Sequence, residues 1–151
     1  MNGRFMQSEL RGTAAIDGAG GSLFRLRSDG TVSAVEHEMG RGESHLLTSE
    51  TLLTLTGDRS FQQVGTLVFD DHQAALNVAT FGSGMFAMPG NNGIERLCVA
   101  INRISSGHGE FVSHRGLMAA MMLIRSDGTV IERQLLMLDV DRWESSGAEA
   151  P

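Results

Sequence analysis

The sequence predicts an all-β fold: one antiparallel β-barrel of about eight strands, joined by hairpins. Three observations predict it. Apolar runs of strand length recur between turn residues at the spacing expected of a sandwich or barrel. Nineteen glycines against two prolines supply many turns with little rigid punctuation. The hexapeptide Arg-Ser-Asp-Gly-Thr-Val occurs at Arg27–Val32 and again at Arg125–Val130, and Asp-Gly between apolar runs is the strongest short-range hairpin pattern.

In chain order, Phe5–Leu10 alternates weakly. Leu23–Arg27 enters the first Asp29-Gly30 turn, Thr31–Met39 leaves it, and Gly40-Arg41-Gly42 breaks the chain. His45–Thr56 follows. Its second half, Ser49–Thr56, has the length of a short helix, but its threonines favour a strand. Ser60–Phe69 and Gln73–Phe81 flank Asp70-Asp71-His72 as a hairpin. Pro89–Gly93 reads as a loop, Ile94–Ile104 as a strand and Ser105-Ser106-Gly107 as a turn. Leu117–Ile124 leads into the Asp127-Gly128 turn and Val130–Val140 leads out. Residues 1–142 thus form the barrel, and 143–151, small, polar and acidic, a flexible tail.

Composition prunes the chemistry. All 12 basic residues are arginine and there is no tyrosine, which excludes a Schiff-base or P-loop lysine and a tyrosine acid. A net charge of −6 argues against broad nucleic-acid binding, which needs a basic face. No apolar run is long enough to form a membrane-spanning helix. The polar N-terminus is unlike a signal peptide, and the lone Cys98 fits a reducing compartment. The expectation is a cytoplasmic protein with no nucleic-acid or membrane partner.

Leu117–Ile124 is apolar on both alternating faces, and its partner run ends Leu135-Leu136-Met137-Leu138. A strand apolar on both faces is covered on both. Core lies on one side, and a second subunit or a terminal helix on the other. The hairpin is therefore the candidate contact of a homodimer.

Gly82-Ser83-Gly84-Met85-Phe86 and Gly107-His108-Gly109-Glu110-Phe111 share a Gly-x-Gly-x-Phe pattern. Glycine pairs permit the bends a small barrel needs, with the phenylalanine packing inward. The stretch Ile104–Gly116 resembles the Gly-x-Gly-x-Phe-x-x-x-x-Gly segment of allene oxide cyclase and dirigent barrels, or of a more distant calycin-type barrel. The resemblance implies an eight-stranded barrel with an apolar cavity in which reactive intermediates, polyketide-type substrates among them, are cyclised or coupled. The shared residues are glycines and a core phenylalanine, so it carries no catalytic residue across.

Candidate catalytic groups come from the residues themselves. Glu36-His37-Glu38 is either a buried acid or base against an apolar wall or a solvated strand face. Glu132 shares a face with Val130, Gln134, Leu136 and Leu138. A carboxylate and an amide on an apolar face suit a mostly dry pocket, and cross-strand Glu–Arg pairing is the alternative. The leading expectation is a cyclase or isomerase that binds a hydrophobic metabolite. Glu132, His37 and Glu36 would act on it, while Phe86, Phe111, Met118, Met122 and Gln134 contact it. The methionines suit adaptable apolar binding or plain core filling. No cofactor is implied, and the five histidines lack ligand spacing. Two other readings stand beside the enzyme: a non-catalytic barrel for an apolar ligand, and an interaction module filled by its own side chains. An interior cavity of several hundred Å3 separates the ligand readings from the last.

Overall fold

The computed structural model describes residues 4–16, 22–36, 40–70, 74–90, 93–108 and 115–138. They form eight strands: β1 (Arg4–Ile16), β2 (Leu23–Glu36), β3 (Gly40–Leu55), β4 (Phe61–Phe69), β5 (Ala74–Gly90), β6 (Gly93–His108), β7 (Gly116–Ile124) and β8 (Thr129–Leu138). Each pairs antiparallel with its sequence neighbours, and β1 pairs with β8 to close the barrel. The all-β barrel expected from the sequence is the fold observed. Closure leaves no open edge among the paired strands. Ser49–Thr56 is strand through Leu55, and 143–151 lies outside the described residues.

The two hexapeptides part company. Asp127-Gly128 makes the predicted turn. Arg125 N–H donates to Thr129 O at 2.9 Å, Asp127 Oδ1 accepts from the Thr129 N–H and hydroxyl, and Gly128 adopts φ +89°. Asp29-Gly30 makes no turn. It lies inside β2, with Asp29 opposite Arg11 of β1 and Thr48 of β3. Long partners on both sides satisfy the β2 backbone along its length, and that ladder overrides the local turn preference. Gly30 serves a different purpose from Gly128: a Cβ there would overlap the Glu9 carbonyl oxygen. Ser105–Gly107 is likewise strand rather than turn, because β6 continues to His108.

Period 2 sends alternate side chains inward. The interior is layered. Met6, Leu10, Val32, Leu47, Leu67, Leu76, Ile104, Met118 and Leu136 belong to one apolar layer. Leu26, Leu53, Phe61, Met85, Cys98, Met122 and Val130 belong to the other. Between them the strands place buried polar groups: Ser8, Ser28, Ser49, Thr51, Gln63, Asn102, Glu132 and Gln134. On β8 the sequence of layers is plain, from Val130 through Glu132 and Gln134 to Leu136 and Leu138. Outside, Arg27 pairs with Glu50 at 2.9 Å and Arg133 approaches Glu9 at 3.8 Å.

Candidate functional site

Two places on the barrel have the makings of a site: the polar waist inside and a groove outside. At the waist, Ser8 Oγ donates to Gln134 Oε1 at 3.1 Å, and Gln134 Nε2 donates to Glu132 Oε2 at 2.8 Å. Burial pushes the Glu132 carboxyl up to about 7, and the bond from Gln134 pulls it back only in part. The Ser28 hydroxyl also lowers it, the least of the contributions. It makes no hydrogen bond of standard geometry. Across the waist, Gln63 Nε2 donates to Thr51 Oγ1 at 2.7 Å and faces Met122 Sδ at 3.8 Å. Ser28 Oγ, Gln63 Oε1 and both polar atoms of the Asn102 amide are buried without a hydrogen-bond partner. Such orphans are unusual enough that each calls for a water, an ion or a ligand.

The waist is nonetheless closed off. Met118 and Met122, one in each of the apolar layers that flank the waist, are 1% and 0% exposed, and Glu132 itself is 2% exposed. These side chains occupy the space where the sequence reading places a ligand.

Open volume lies on the outer face: a groove of about 710 Å3 crossing β5, β6, β7, β8, β1 and β2. Cross-strand register explains its form. The floor is the backbone of one row, Ser83–Ala100–Ala120–Gln134–Ser8. On one side runs the outward row Gly84–Val99–Met121–Arg133–Glu9–Thr31, and on the other Gly82–Ile101–Ala119–Leu135–Gln7–Ser33. Gly82 and Gly84 leave the β5 end low. A Cβ at Gly82 would meet nothing within 4 Å, and one at Gly84 would make ordinary contact with Val99 and the Phe86 ring. Met121 is 52% exposed, and Ile101 39%, which is open for apolar side chains at the centre of a sheet.

The predicted site residues divide accordingly. Glu132, Gln134, Met118 and Met122 all face inward and meet at the waist, with Glu132 opposite Met122 in the β7–β8 register. Cross-strand Glu–Arg pairing does occur on β8, but through Arg133 toward Glu9 on the outer face. Phe86 was expected to pack inward. It stands on the outer face, 52% exposed, because Met85 takes the inward position after the register shift between Thr80 and Gly82. Glu36 ends β2, and its side chain is outside the description; His37 and Phe111 lie outside the described residues. The groove had a trace in the sequence: Gly82-x-Gly84 read as a barrel corner, but these glycines face outward and keep the groove open.

Among the described residues, no group of three or more His, Cys, Asp or Glu is placed to hold a metal ion. His45 Nδ1, in the first half of β3, is 2.7 Å from Asp70 Oδ2. No protein-family model matches the chain, and neither does any curated protein or solved structure.

Proposed function

We propose that this protein is a non-catalytic binding barrel that holds an apolar small molecule on its outer face, around a core filled by its own side chains. One observation carries the reading: the groove of about 710 Å3, with Val99, Ile101, Ala119, Met121 and Leu135 among its walls and a few polar groups at one end. That size and polarity are those of small-molecule sites. The test is titration with the fluorescent apolar probe 1-anilinonaphthalene-8-sulfonate. Gly82→Leu fills the β5 end without touching the core. It should weaken probe binding about five- to tenfold, since losing about 50 Å2 of apolar contact costs on the order of 1 kcal/mol. Unchanged binding would move the site elsewhere. A homodimer through the β7–β8 outer face would cover the same groove, and a fall in probe binding as protein concentration rises distinguishes that occupant.

The waist favours a second reading, a cofactor-independent cyclase or isomerase. A buried carboxyl poised near neutral pH, in a waist that also holds unpartnered polar atoms, is suited to general acid–base work. Glu132 would move the proton, Gln134 would orient it, and Met118 and Met122 would have to swing aside for the substrate. Loss of turnover on a polyketide-like substrate in Glu132→Gln, with turnover retained in Gly82→Leu, would favour this reading over the first.

A further inference from the structure

We infer that the groove ligand is amphipathic and anionic: a free long-chain carboxylate lying across the strands, with its alkyl chain over β5–β7 and its head group at Arg133. The inference rests on the groove reading above and concerns the chemistry of its occupant. The two walls change character one strand apart, at β8 on one side and at β1 on the other. Going from β5 toward β2, one wall runs Gly84, Val99, Met121 and then Arg133; the other runs Gly82, Ile101, Ala119 and Leu135 and then Gln7. Strand spacing of about 4.8 Å makes the apolar part, from β5 to β8, about 14 Å long. The floor beneath it carries Ala100 and Ala120, whose small side chains turn inward.

Beyond the apolar part a ligand first meets the Arg133 guanidinium. Its only ion pair among the described residues is with Glu9, at 3.8 Å, with the two side chains 73% and 71% exposed. So loose and solvated a pair is weak and leaves the planar donors free to take a carboxylate two-pronged. Gln7, Thr31 and Ser33 surround the same end and can hydrogen-bond a polar head. A wholly apolar ligand would leave these groups desolvated without partners.

The experiment is calorimetric titration of the full chain with dodecanoate and with dodecanol, both as monomers. Dodecanoate should bind about tenfold tighter than dodecanol, the size of a charge-assisted hydrogen bond. Arg133→Gln should erase that preference by lowering dodecanoate affinity to that of dodecanol. Gly82→Leu, at a position with open space around it, should weaken both ligands. Equal affinity for the two in the parent chain overturns the anionic head and leaves the groove reading standing. If neither ligand binds, or if Gly82→Leu changes nothing, the groove reading falls as well. Vesicles of phosphatidylglycerol present a comparable anionic, acyl-chain surface. The chain should remain in solution beside them, and co-sedimentation would overturn the free-carboxylate assignment.

Discussion

Replacing Glu132 by glutamine removes the charge that the waist disfavours and keeps an acceptor oxygen for the Gln134 amide. The carboxyl is raised from 4.5 to about 7 by burial. Between those values the folded chain keeps a proton that the unfolded chain has already released. Stability from this group is therefore fully present below about pH 4.5 and is lost as pH rises toward 7. The rise is worth about 3 kcal/mol, at about 1.4 kcal/mol per tenfold change in proton affinity. Urea unfolding of the parent chain and of Glu132→Gln, at several values from pH 4 to pH 8, isolates this contribution because the other carboxylates cancel in the difference. The variant should gain about 3 kcal/mol on the parent across that range, with the gain concentrated between pH 4.5 and 7. A difference that stays flat with pH would show that water reaches the Glu132 carboxyl and that the waist is not dry.

Four further substitutions and one labelling probe follow from the fold. Asp127→Ala removes the acceptor for the Thr129 backbone N–H and hydroxyl and should lower the melting temperature by a few degrees. Asp29→Ala removes only the bond from the Thr48 hydroxyl and a 3.7 Å approach to Arg27, and should lower it less; thermal scans of the two compare one hexapeptide in two settings. Gly12→Ala would drive a Cβ into the Arg27 carbonyl and should cost at least about 1–3 kcal/mol by overpacking. Gly82→Ala, in open space, should stay within about 0.5 kcal/mol of the parent in the same urea assay. Cys98 is fully buried, and burial raises its thiol to about 11 against a smaller opposing pull from Arg96. It should resist a thiol reagent at pH 8 until denaturant is added, and rapid labelling of the folded chain would contradict its burial.

What could be read from residues alone was whatever depends on period and local composition. The alternation along Val130–Leu138 placed Glu132 and Gln134 on one face with Leu136 and Leu138, and that face is the interior. The doubly apolar Leu117–Ile124 was expected to be covered on both faces; one face is in the core, and on the other Met121 stands open in the single chain. What could not be read depends on partners distant in sequence. Arg-Ser-Asp-Gly-Thr-Val is strand in β2 and turn before β8 because β1 and β3 flank the first copy along its length. Phe86 was assigned inward from its place in the Gly-x-Gly-x-Phe pattern, but the register shift near Phe81 decides which neighbour faces the core. The waist required eight polar positions, each unremarkable on its own strand, to fall at one level of the closed barrel. The groove depends entirely on cross-strand register, which joins residues from six strands and leaves no local pattern beyond Gly82-x-Gly84.

The central claim is that ligand is held outside a filled barrel, and the methionines report on it from both sides of the wall. Met121 lines the groove, whereas Met118 and Met122 on the same strand point into the core. Carbon-13 methyl labelling of methionine, followed by NMR titration with dodecanoate, reads each position separately. The Met121 methyl should shift with ligand while those of Met118 and Met122 stay in place. Shifts at Met118 and Met122 with Met121 unmoved would put the ligand inside the barrel, beside Glu132, and contradict the account.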